Sequence, residues 1–523
     1  MKNIHNYIAL IIISILFSCQ QEIPELEAPP TVEPLCQSCP DGANSGSASF
    51  DKFVSIGNSF VAGFQAGALY NDAQTSSMPN MISQQLGCAG GSAVFNQPDI
   101  NSANGFNIQL SDPGQGIVLG RLILFDAGSG AAPTPAGAPG VPAPYNTADL
   151  PTPFSGDKSA LNNFGVPFVF LGQTLIPDTG NPASPYFNPL WARFASSPGE
   201  KSMLEDALGA AGSFYLIWLG IDDALLYAAT GADGSYPLTS VEAFSLQYNG
   251  LISTMLVANP VFKGVVGNIP GLTSYPYFTT IPSNTIALDA ATANSIQTGL
   301  ADNYNSFINI MEGFGVITAE ERDRRLLSYV AGNNGVLITD EALTDLSEYM
   351  INNGAGALVP FAQARQTNAT DLIPLAAGAV LGTPYLGIPS AIQGVSWPLA
   401  DNYALTITEI IEIETNIAGF NAIIEGAVSG SNDRLALADV SNALNELLIA
   451  SMSNGGMLVD GVSISSSFPP PTGAFSEDGL HPNSRGYAFV GNVFIDAINS
   501  TFGASVPHIC LNDNNGTGLP VSP

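Results

Sequence analysis

Histidine is scarce in this chain of 523 residues: His5, His481 and His508 are the only three. Of these, His481 alone sits in a stretch suited to chemistry, "SEDGLHPNSRGYAF", with Asp478 three residues before it. An imidazole and a carboxylate at that spacing, just ahead of a helix, can face one point, as a general base and the acid that orients it must. The matching nucleophile is Ser59 in "FVSIGNSFVAGF", where an apolar run stops at Gly57-Asn58 and hands a serine to a Gly-containing turn. Serine, imidazole and carboxylate together perform acyl transfer. A plainer reading makes Ser59 a helix cap, Asp478-Gly479 a turn and His481-Pro482 a helix entry. Val61 stands where a Gly-x-Ser-x-Gly elbow needs its second glycine, so the α/β-hydrolase turn is excluded.

The elements that must hold these residues read as strands alternating with helices. "DKFVSIG", "SFYLIWLG" (213–220) and "FKGVVGNIP" (262–270) are continuous apolar runs stopped by Gly or Pro. Continuous rather than alternating runs predict a parallel sheet buried on both faces. Helices are predicted over "SSMPNMISQQLG", over 318–350 behind a Thr318/Glu321 capping box, over 403–428 and over 433–453. A last helix, "SRGYAFVGNVFIDAIN", places Val490, Val493, Phe494, Ala497 and Ile498 on one docking face. The Pro/Gly/Ala-rich 127–153 reads as a surface loop. The fold class expected is α/β, one domain with large, mostly helical insertions.

Hydrophobic residues make up 46% and charged ones 11%, which excludes a disordered chain. A net charge of −31 speaks for solubility and against nucleic acid as a partner, since little here could neutralise phosphates. Lys2 and the apolar run Tyr7–Ser18 read as a signal peptide, too short to span a bilayer. "LFSC" ends at Cys19 and resembles a bacterial lipoprotein cleavage site, with a polar, Pro-rich tether behind it. The expectation is residues 1–18 as signal, 19–48 as tether and a lipid anchor on Cys19, in the cell envelope at the outer membrane. Cys36, Cys39, Cys88 and Cys510 remain, an even set that suggests disulfides with three possible connectivities. A zinc set of Cys36, Cys39, His508 and Cys510 can also be drawn, though the exported context disfavours it. "LNDNNGTG" lacks the acid spacing of a calcium loop. No metal or cofactor is expected.

Taken together, Ser59 after Gly57-Asn58 and the block Asp478-x-x-His481 resemble the SGNH or GDSL hydrolase family. "NNFGVPF", "GIDD", "NPLWARFASSPG" and "GAFSEDGLHPNSRGYAFVGNVFIDAIN" are similar to a large, lipoprotein-type branch of it. The resemblance runs from about 49 to 505, with 506–523 as a C-terminal tail and insertions near 103–160 and 275–430. Its "DGLHP" block is the most specific part.

The resemblance implies a flavodoxin-like α/β/α sheet and a serine esterase or lipase acting on a small-molecule, glycan or lipid ester. Ser59 would be the nucleophile, His481 the base and Asp478 its orienter. The backbone N–H groups of Ser59 and Gly165 would be oxyanion donors, and Asp222 would occupy the third oxyanion position. The stretch 275–400 would build the pocket wall. Two departures stand out. Asn58 replaces an aspartate, and Asp222 replaces an asparagine that donates to the oxyanion. An ionised Asp222 would repel that charge, which leaves a non-catalytic envelope scaffold with a weakened site as the alternative.

Overall fold

In the computed structural model, which describes residues 39–92, 94–128 and 130–523, five short strands form one parallel sheet. They are β1 (Phe53–Gly57), β2 (Asn163–Gly165), β3 (Phe214–Trp218), β4 (Lys263–Gly267) and β5 (Leu435–Ala438), in the order β5-β4-β3-β1-β2. Every residue of β1 and β3 is buried, as their continuous apolar sequences require. One helical layer contains α2 (Met78–Cys88), α7 (Val440–Asn454) and α8 (Ser484–Phe502). The other contains α3 (Met203–Gly209), α5 (Val241–Ala258) and α6 (Ile407–Ser429). The architecture is therefore three-layer α/β. From β1 the chain goes to β2 on one side and then to β3 on the other. That reversal opens a crevice at the carboxyl ends of β1 and β3, where such sheets place their sites.

Two elements flank the crevice: α1 (Ser59–Ala62) after β1, and α4 (Asp222–Ala229) after β3. The turn into α1 depends on Gly57. A Cβ there would lie 2.2 Å from Val61 Cγ2 and 2.7 Å from the Trp218 carbonyl oxygen. Glycine thus lets a helix fold straight back over its own strand.

Several expectations need correction. The stretch 433–453 is not all helix, because Leu435–Ala438 forms the outer strand β5. The stretch 318–350 breaks into a helix (Ala319–Arg325), two strands (Gly332–Asn334, Leu337–Thr339) and the start of a helix (Ser347–Asn352). Glu321 does not close a capping box; it bonds Arg325 and Thr344 instead. The loop 127–153 contains a strand, Ala131–Pro135, paired with Leu122–Asp126. The second insertion is mixed, with its own core around Tyr304, Leu337 and Met350, and ends before α6, which belongs to the central layers.

Neither end of the described chain is loose. The amide of Ser47 bonds the Phe502 carbonyl, so the fold begins before residue 49. Val521 pairs with Leu124 and Asp126, and Ile509 N–H bonds Asn492 Oδ1, so 506–523 is packed rather than a tail. Cys39 is disulfide-bonded to Cys88 at the end of α2, and Cys510 is disulfide-bonded as well. With Cys39 so engaged and His508 Nε2 bonding Asp496 Oδ1 at 2.7 Å, the drawn zinc set does not form. Peptide mapping without reductant should recover a Cys39–Cys88 linked pair. Replacing both by serine should lower stability by about 3–4 kcal/mol, read from denaturant midpoints. Free thiols at both positions in native protein would refute the pairing. The signal peptide, Cys19 and Cys36 lie outside the described residues.

Candidate active site

Ser59 opens α1 and is buried, 1% exposed. The cap of this helix is not Ser59 but Asn58, whose Oδ1 accepts the Phe60 N–H at 3.2 Å. The hydroxyl is thereby free for another partner. Its Oγ lies 3.0 Å from His481 Nε2, across 422 residues of chain. His481 Nδ1 lies 2.9 Å from Asp478 Oδ2. The three residues predicted from sequence therefore meet, at the crevice between β1 and β3.

The carboxylate of Asp478 is pinned from all sides. Oδ1 accepts the N–H groups of Leu480 and His481, each at 2.8 Å, and the Ser476 hydroxyl at 3.1 Å. Oδ2 also accepts the Gly67 N–H at 2.9 Å. Burial pushes its pKa up, but the facing His481 and these donors outweigh that and hold it below the usual carboxylate range. An acid so held orients the ring and stabilises an imidazolium without taking its proton. The ring itself is wedged between Phe60 and Phe64, at centroid distances of 4.8 and 4.9 Å. Ser476 and Gly67 are positioning residues that sequence reading missed. Ser476 Oγ also accepts the Ala66 N–H at 2.8 Å, so it locks the turn after α1 onto the loop bearing His481.

The expected oxyanion donors divide differently. The Ser59 N–H makes no hydrogen bond to another described residue. Gly165, however, is not a donor: its N–H is committed to Asn163 Oδ1 at 2.9 Å. Its role is steric, since a Cβ there would lie 2.3 Å from the Ala62 amide nitrogen. On that loop the unengaged N–H is that of Phe168, which also lines the cavity beside Ser59. Phe168 holds φ +59°, a left-handed conformation rare in a bulky residue and typical of functional sites. A glycine would have signalled this turn in the sequence; phenylalanine does not.

Asp222 lines the same cavity from the first turn of α4. Its Oδ2 is buried and makes no hydrogen bond. Burial, and then the neighbouring Asp223, raise its pKa well above the carboxylate range. The Val169 N–H and the Asn58 amide pull the other way, although Asn58 Nδ2 makes no hydrogen bond of normal geometry. That shift favours the protonated carboxyl, the form that can donate as an amide does. Asp223, raised by burial to about 6, has a different task. Its Oδ2 accepts the Leu171 N–H at 2.8 Å and its Oδ1 the Thr239 hydroxyl at 2.8 Å, which ties the Phe168 loop to α4.

The cavity wall is not built by 275–400 as expected. Besides the triad and Phe64, it is formed by Gly67, Gln109, Phe168, Leu480 and residues of α4. Among the described residues one group could hold a metal, none of its members lining this cleft: Glu341, Asp401 and Glu409, with ligand atoms within 4.8 Å of one another. Burial and carboxyl–carboxyl hydrogen bonds raise Glu409 to about 8 and Asp401 to about 7, while Glu341 is held low.

Comparison with protein-family models, curated proteins and solved structures finds no match to the chain.

Proposed function

We propose that this chain is a serine ester hydrolase of the SGNH type, exported and lipid-anchored through Cys19 in the cell envelope. The observation that carries the proposal is the closed relay Ser59–His481–Asp478, at 3.0 and 2.9 Å. The strand order supports it too, being the 2-1-3-4-5 order of flavodoxin-like sheets, with the relay at their switch point.

Ser59 Oγ attacks the ester carbonyl carbon while its proton passes to His481 Nε2. Charge that develops on the carbonyl oxygen is met by the N–H groups of Ser59 and Phe168 and by the protonated carboxyl of Asp222. His481 then delivers its proton to the alcohol oxygen as that bond breaks, leaving an acyl-enzyme. Water enters, gives a proton to Nε2 and attacks the acyl carbon; the acid leaves and Ser59 recovers its proton. Turnover of p-nitrophenyl acetate above the spontaneous rate, stopped by phenylmethylsulfonyl fluoride, is the expected result for purified protein. A protein that turns over no simple ester would favour the second reading, a non-catalytic envelope scaffold. That reading draws on Asp222, which if ionised would repel the oxyanion.

The anchor has its own test. Cys19→Ser should move the protein from the membrane to the soluble fraction, and wild type should take up an alkyne fatty acid. An unlabelled wild-type protein would contradict lipidation.

A further inference from the structure

The catalytic cavity encloses only about 30 Å³. That is room for a reacting ester group and a water, not for a chain, since a single water needs roughly 10–15 Å³ by this measure. Next to it lies a cavity of about 310 Å³. Phe64 and Phe168 line both, and their rings meet edge to face at 5.2 Å. The larger cavity is walled by aliphatic and aromatic side chains such as Ile100 and Leu190, with Asp149 as its single charged lining residue. Ile108 and Leu150 also line it and stand 42% and 50% exposed, so its mouth presents apolar surface to solvent. A soluble, strongly acidic protein exposes such side chains at a concave mouth when something apolar is to enter.

Resting on the ester-hydrolase reading above, we propose that this cavity receives the acyl chain of the substrate, and that the substrate is a medium-chain acyl ester rather than an acetyl ester. The shared wall supplies the argument for the acyl side. Phe168 carries the candidate oxyanion N–H and its ring lines the larger cavity, so a carbonyl seated at that N–H has the start of a chain path beside it. An engineered apolar cavity of about 150 Å³ holds benzene, so roughly twice that volume accommodates a chain of about eight to ten carbons. Each methylene buried there contributes several-fold to kcat/KM.

The experiment compares p-nitrophenyl acetate, butyrate, octanoate and palmitate on the full-length protein, alongside Leu150→Trp, which narrows the mouth, and Ile108→Asp, which charges it. Wild type should prefer octanoate over acetate at least ~10-fold and lose ground at palmitate. In both variants the octanoate-to-acetate ratio should fall at least ~10-fold. Ethyl octanoate should outrun octyl acetate; the reverse order would assign the cavity to the alcohol and overturn the proposal. A flat chain-length profile, or ratios unmoved in both variants, would overturn it while leaving the hydrolase reading intact. Binding of a fluorescent medium-chain fatty acid, weakened in both variants, reads the cavity without catalysis. If that binding occurs but no ester is turned over, it is the hydrolase reading that fails, and the proposal with it.

Discussion

Ser59→Ala and His481→Ala should each lower kcat/KM for an activated ester by roughly 10⁴–10⁶, with the fold retained. The magnitude follows from how a relay fails: remove either member and the other has nothing to act on, so single losses approach the loss of the whole set. Ser59→Ala removes one buried oxygen and should leave the thermal midpoint within a few degrees. His481→Ala leaves a gap between Phe60 and Phe64, so His481→Gln, which fills more of it, is the companion variant. Near-unfolded melting curves for His481→Ala with an inactive but stable His481→Gln would still place the base at 481. Wild-type turnover in a folded His481 variant would remove it.

The second large effect is expected at Asp222. Under the proposed mechanism the proton on Asp222 is a donor, and a raised pKa means that this donor is present at low pH and lost as pH rises through the folded-state value. Activity should then fall on the alkaline side as Asp222 loses its proton. Asp222→Asn has nearly the same volume and a donor at every pH. Its carbonyl can accept from Val169 N–H while its amide takes the place of the bare Oδ2. The ratio of variant to wild-type kcat/KM should be near one below neutrality and climb toward about 10–10² above it, the scale of one oxyanion donor. The same sign holds for stability. A raised carboxyl favours folding least where it must ionise, so wild type should lose stability as pH rises and the variant should lose less. A variant slower at every pH would give Asp222 another task.

Much of this site was legible because its signals are local. A strand stopped by Gly57-Asn58 places Ser59 at the carboxyl end of the sheet, and Asp478-x-x-His481 before a helix puts carboxylate and imidazole on one loop. The meeting of these two segments, 422 residues apart, is not local, and rested on resemblance until the structure placed them together. What sequence reading missed was decided by tertiary context. "LALA" at 435–438 reads as helix because alanine and leucine favour it, yet the β4 edge takes it as a strand. Prolines at 133 and 135 argue against a strand, but Ala131–Pro135 pairs with a single neighbour in its hairpin, where proline is tolerated. The resemblance alone makes Gly165 a donor, at a position where glycine also permits close approach. The approach is real, but it is of the α1 backbone to β2, while the side chain of Asn163 takes the N–H.

The central claim is that Ser59 is a nucleophile activated by His481. Incubation of the purified protein with a fluorophosphonate, followed by intact mass and peptide mapping, tests it most directly. One adduct per chain on the peptide containing Ser59, absent in Ser59→Ala and formed far more slowly in the His481 variants, is the expected result. No adduct, or one elsewhere that survives Ser59→Ala, would contradict the account.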